Sequence, residues 1–290
     1  MKKKSIIILI LMLTTAWTVV LPNHSKAEES IDYNAIYNQA IKEGVIKQQE
    51  LSYNEWLKEN VEFKTIYDAG IKENVLEPTL GYAEWIKLNH YGQPPKDDDT
   101  KFTSYTIGST KSNVSTLSAS TSKIRVTQLS SFKIKPGDIL ITNSTSSAGI
   151  VGHCAIANGA NHILDMPGYG NKKDNNRQLT VSQWLSKYSN GWIKVYRLKN
   201  SSIASKVAKY ADRHYYSSTG SAKKNIHIAY GLTRRLYKFS PSYCSKLVYD
   251  AYWFGSGSAR VLNGASGYVL PFTLLDYFWH DYRPSKVHTY

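Results

Sequence analysis

Apolar and polar positions follow one rule after another along this chain. Residues 6–21 are an apolar run broken only by threonines. Tyr33, Ile36, Tyr37, Ala40 and Ile41 then recur at helical spacing, and the pattern returns. Residues 36–46 match residues 66–76 at an offset of 30, and Tyr53, Glu55, Trp56, Leu57, Lys58 and Asn60 match Tyr82, Glu84, Trp85, Ile86, Lys87 and Asn89 at an offset of 29. Each copy predicts two short helices. The first stops at Gly44 or Asn74, residues that tolerate the left-handed position closing a helix. In the first copy the second helix begins at Ser52 with Glu55 three residues on, a capping box. Such units cannot bury their apolar faces alone and must stack on each other or on a neighbour.

Beyond Pro94-Pro95 and Asp97-Asp98-Asp99, residues 103–123 are rich in Ser and Thr without periodicity, as a linker would be. From Ile124 the pattern is mixed. Pro136-Gly137 predicts a turn, residues 138–142 a strand, and residues 150–157 with 162–166 a β-hairpin. Residues 181–188 predict a short helix and 192–198 an alternating strand. Residues 203–215 and 243–254 predict longer helices, and the tail reads as aromatic loop. The expected organisation is a signal peptide (1–27), a helical repeat module (28–92), a linker (93–123) and an α+β catalytic domain (124–290).

Composition sharpens this. Lys2, Lys3 and Lys4 precede the apolar run, and Ser25-Lys26-Ala27 offers small residues for signal-peptide cleavage, so the protein is expected to be secreted. Residues 28–100 carry 15 acids against 7 lysines, whereas residues 101–290 carry 25 Lys and Arg against 7 Asp and no Glu. The basic domain should attract anionic wall polymers or a membrane surface, and nucleic acid is a poor partner for an exported chain. No cofactor is indicated.

Two cysteines occur, Cys154 and Cys244. Cys244 sits in the first turn of an apolar helix for which Ser240 or Ser242 can serve as cap. Free N–H groups in the first turn favour a thiolate and could hold an oxyanion. His153 sits on a strand with Ala155 and Ala157 on its face, so it is the candidate base. A three-residue hairpin loop would set Asp165 directly across from His153, where an acid fixes the imidazole tautomer. His162 competes for that role. By strand alternation Cys154 faces away from His153, so a Cys154–Cys244 disulfide and a Cys244–His153 pair exclude each other. The disulfide would make this a non-catalytic wall-binding protein.

Pro136-Gly137-Asp138-Ile139-Leu140, Gly152-His153-Cys154-Ala155-Ile156-Ala157, Ile163-Leu164-Asp165 and Tyr243-Cys244-Ser245-Lys246-Leu247-Val248 together resemble the circularly permuted papain-like branch (YiiX-like) of the NlpC-type cysteine hydrolases. Trp192 to Arg197 and Leu270-Pro271 extend the resemblance, which covers roughly residues 134–275. In that branch the histidine strand precedes the cysteine helix, as here. Cys154 departs from the pattern, which has an aliphatic residue there more often. The resemblance implies an antiparallel sheet packed on the helix bearing the nucleophile. It implies attack by Cys244 on an amide or ester, an acyl-enzyme, and Asp165 as the third polar residue. With export, it points to cell-wall peptides as substrate. The same branch resembles lecithin–retinol acyltransferase, so lipid-directed acyl transfer is the other expectation.

Overall fold

The helical repeats stack through bonds that recur from copy to copy. The computed structural model describes residues 30–95, 132–144 and 148–290. The expected signal peptide and all but the start of the expected linker lie outside the described residues. Helix α1 (Tyr33–Lys42) is capped by the Asp32 carboxylate, which accepts from Ala35 N. Helix α2 (Tyr53–Lys72) opens with the Ser52–Glu55 capping box, and α3 (Tyr82–Leu88) follows. Three helices stand where four were expected. Nothing between Asn60 and Thr65 breaks a helix, so the last helix of the first copy runs into the first of the second. Gly44 and Asn74 take φ of 69° and 53°, the left-handed closure anticipated for them. Tyr37 OH donates to Leu51 O and Tyr67 OH to Leu80 O, both at 2.7 Å, so the two copies lock their turns in the same way.

The remaining described residues build one antiparallel sheet, in the order β4-β3-β2-β1-β5-β6. Its strands are β1 (Ile139–Thr142), β2 (His153–Gly159), β3 (His162–Asp165), β4 (Arg177–Thr180), β5 (Ile193–Arg197) and β6 (Ser285–Thr289). The two outer strands were not expected from the sequence. Both are half-exposed along their length and lack the buried apolar alternation that marks a strand. The tail therefore does not end as loop but as β6, paired to β5.

One face of the sheet packs Leu140, Ala155, Ala157, Ile163 and Val195 against Trp184, Leu185 and Tyr188 of α4 (Val181–Lys187) and its end. Helices α5 (Ser201–Tyr215) and α6 (Cys244–Gly255) pack on each other and on β2. Every residue of α6 from Cys244 to Tyr252 is buried, as expected of a helix enclosed on all sides. Tyr252 OH donates to Gly137 O at 2.5 Å and ties α6 to the turn before β1. The described fold is thus mixed α+β, with the Cys244 helix against an antiparallel sheet.

Candidate active site

The chain enters α6 extended rather than through a serine cap. Tyr243 is the N-cap, at φ −145° and ψ 172°, and makes no side-chain cap bond. Neither serine serves. Ser240 Oγ accepts from Ala229 N at 3.3 Å, and Ser242 Oγ is buried without a partner. Backbone bonds between Ser242 and residues 229 and 231 clamp the approach instead. The first helical bond runs from Leu247 N to Tyr243 O at 2.9 Å. The amides of Cys244, Ser245 and Lys246 therefore make no intrahelical bond and set a partial positive charge around the Cys244 sulfur.

His153 is the first residue of β2, and the loop before it is held tightly. Gly152 has φ of 74°, and a Cβ there would lie 2.5 Å from the Phe272 ring. The loop also meets the helical module. Trp85 Nε1 donates to Gly149 O at 2.9 Å, Gly149 N to Ile66 O at 3.0 Å, and Val151 N to Asn89 Oδ1 at 3.0 Å. Asn89 is itself fixed, with Nδ2 donating to Trp85 O at 2.8 Å. In the first copy Asn60 Nδ2 bonds Trp56 O, and Trp56 Nε1 donates to Tyr91 O. The second repeat thus grips the His153 loop with the residues by which the first grips the second. The repeated Trp and Asn were visible in the sequence, but their target was not.

His153 Nε2 and Asp165 Oδ2 are 2.9 Å apart, and both side chains are buried. Asp165 is not directly across from His153. A bulge between Ala157 and Gly159 sets Ile156 against Leu164 and Ala157 against Ile163, which places Asp165 across from Ala155. The pair meets diagonally on one face, within reach for a histidine. Arg177 donates to both Asp165 oxygens at 2.8 and 2.9 Å, Trp184 Nε1 at 3.0 Å and Tyr188 OH at 3.3 Å. The Tyr188 ring stacks on the imidazole at 4.9 Å. None of these three partners was anticipated: β4, which carries Arg177, was not expected, and the helix that carries Trp184 and ends at Tyr188 was expected without its target. His162 lies exposed at the other end of β3, away from this group.

The electrostatics follow. Burial would raise the Asp165 carboxyl, but its bonds to His153 and Arg177 outweigh that and hold it at about 2. Burial would lower His153, but the Cys244 thiolate and Asp165 together raise it to about 9. Since Nε2 is engaged by Asp165, Nδ1 is left to face Cys244, whose charge acts on the imidazole. Burial would raise the Cys244 thiol. The Cys154 thiol, His153 and the Cys154 N–H outweigh it and hold Cys244 well below the usual thiol value.

The disulfide is not formed: both cysteines are free. The two sulfurs are nonetheless neighbours, so the expected exclusion between a Cys154 contact and a His153 contact does not hold. Cys154 points toward the face on which α6 packs, and the first turn of α6 reaches the very start of β2. There Cys244 meets the first side chain of each face, His153 on one and Cys154 on the other. Burial and the adjacent Cys244 push the Cys154 thiol well up, so it remains a protonated donor. Together these groups can carry a thiolate–imidazolium pair for attack on a carbonyl. Among the described residues no cluster of His, Cys, Asp and Glu could hold a metal ion.

Relatives of this chain are of limited functional help one by one. It is 51% identical, over 268 residues and 91% of each chain, to an uncharacterized 30.3 kDa protein of Bacillus thuringiensis. Among solved structures it is similar to the metalloprotein yiiX of Escherichia coli O157:H7. That likeness has a TM-score of 0.31 at 15% identity and covers 46% of this chain and 71% of that one, too slight to assign a fold. Residues 101–290, which hold Cys244, His153 and Asp165 and span more than half of the chain, match the sequence model of the lipoprotein N-acylation proteins, LnsA-like, and the chain belongs to that family.

Proposed function

We propose that this protein is an exported thiol acyltransferase on a circularly permuted papain-like scaffold, which moves a fatty acyl group from a lipid ester to an amine. The Cys244 thiolate attacks the ester carbonyl, and a thioester forms while the C–O bond breaks. His153 gives its proton to the departing alkoxide. The amine then attacks the thioester, neutral His153 takes the amine's proton, and Cys244 leaves as thiolate with an amide formed. The amides at the start of α6 are placed to receive the oxyanion in both steps. Asp165 fixes the imidazole and stabilises its charged form.

The observation that carries the reading is a charged thiol–imidazole–carboxylate line in a chain of the lipoprotein N-acylation family. Burial adds to it. Cys244 is 1% exposed and His153 2% exposed, and a thioester kept from water favours transfer to an amine over hydrolysis. The family's description supports a lipoprotein amine as the acceptor. Cell-wall peptide hydrolysis uses the same acyl-enzyme with water as acceptor, and the order of the sequence motifs favours it as the second reading.

The two are separated by mass spectrometry. Incubation with phospholipid vesicles should add a fatty acyl mass, labile to hydroxylamine, to the peptide containing Cys244. A diacylated lipopeptide with a free amine should then gain that acyl group as an amide. Cys244→Ala should do neither. Soluble fragments released from purified peptidoglycan only by the unmutated protein, without acylation of Cys244 by lipid, would replace this reading with the hydrolase.

A further inference from the structure

Away from Cys244, three of the large apolar side chains that stay exposed lie together. Tyr237, Phe239 and Phe254 are 46%, 38% and 38% exposed. Phe239 and Phe254 have ring centroids 6.0 Å apart, and Tyr237 lies 6.5 Å from Phe254. Trp253, Tyr210 and His214 continue the patch, with Trp253 5.2 Å from Tyr237 and His214 5.7 Å from Phe239. The loop carrying two of these rings is fixed from below. Lys246, fully buried, donates to Lys238 O and pairs with Asp250 at 3.1 Å. Lys209, Arg235 and Lys238, next to or within two residues of Tyr210 and Tyr237 along the chain, are exposed. Residues 213–275 contain one acid, Asp250, and it is buried.

An exposed aromatic cluster is costly in water and marks a contact surface. Aromatic rings favour the level of lipid headgroups, and cations beside them favour anionic lipid. We infer that this face docks the protein on an anionic phospholipid bilayer. Phe254 and Cys244 sit on the same helix, ten residues and about 15 Å apart. Docking would hold the nucleophile within a helix length of the lipid surface. The inference goes beyond acyl transfer and does not need it.

The test uses full-length protein with phosphatidylglycerol vesicles carrying a photoreactive acyl chain, and maps cross-linked peptides by mass spectrometry. Cross-links are expected in peptides holding residues 237–239 and 253–254, besides any in residues 6–21. Their yield should fall about tenfold in phosphatidylcholine vesicles, and likewise at about 0.5 M salt. The combined Tyr237→Ser, Phe239→Ser and Phe254→Ser variant should lose them, and its rate of Cys244 alkylation reports whether it has folded. Should it not fold, Arg235→Glu with Lys238→Glu is expected to give the same loss. Cys244→Ala, which abolishes any acyl transfer, should leave the cross-links unchanged, so the docking face and the chemistry fail separately. Cross-links confined to residues 6–21, spread over other faces, or indifferent to lipid charge would overturn the inference. So would a patch needed for binding purified wall teichoic acid but not for cross-linking to vesicles.

Discussion

The Cys244 sulfur is buried, and burial by itself disfavours a thiolate. The charge persists because donors converge on it, and Cys154 supplies two of them from one residue. Cys154→Ala removes the S–H donor and keeps the N–H. The pH at which Cys244 becomes reactive should therefore rise, read from the pH dependence of its alkylation. An unmoved profile would show that the neighbouring thiol is only packing. The opposite limb belongs to His153. Acyl transfer needs Cys244 ionised and His153 protonated, so activity should be lost as pH rises through about 9. It should be lost again as pH falls through the depressed value of Cys244. Asp165→Asn removes the carboxylate that helps raise His153, so the alkaline limb should move to lower pH while substrate affinity changes little. Cys244 and His153 were legible from spacing and neighbours. Arg177, Trp184 and Tyr188 were not, because nothing local marks a side chain whose only task is to hold a distant carboxylate.

At the scale of elements, the helical module is joined to the rest of the described chain by groups of very different weight. The Lys172–Glu73 pair is half-exposed at 2.6 Å, and a solvated pair is worth about 0–1 kcal/mol. Trp85 is fully buried and also donates to Gly149 O, and truncating such a ring typically costs about 3–5 kcal/mol. Asn89→Ala would strand the buried Val151 N–H, at about 1–3 kcal/mol. We expect Glu73→Gln to leave the melting temperature almost unchanged and Trp85→Ala to lower it strongly. Asn89→Ala should lower kcat more than it raises KM, since it loosens His153 rather than the substrate contacts. Equal effects of Glu73→Gln and Trp85→Ala on melting would mean that charge, not the buried ring, joins the parts. The helices were readable because caps and apolar spacing are local signals. Fusion into α2 was readable only in hindsight, as the lack of any breaker between Asn60 and Thr65.

For the whole molecule, the described residues from Asp32 onward form one compact unit, and the module's contacts reach the loop that ends at the candidate base. A single cooperative unfolding transition is expected by calorimetry, with Trp85→Ala separating it into two. Two transitions in the unmutated protein would mean that the repeats are an independent appendage. The sequence alone determined what is local: the repeat and its turns, the central strands, the helix with Cys244 in its first turn, and the opposed charges of the two halves. Its local signals are caps, breakers and periodicity, and these act over a few residues. Tertiary structure decided what depends on register and on which faces meet. It set Asp165 two residues along β2 from the expected pairing, through a two-residue loop and a bulge, and recruited polar edge strands that no periodicity announced. It also brought Cys154 beside Cys244 at the edge of the sheet, where a helix start meets a strand start and alternation no longer separates the two faces.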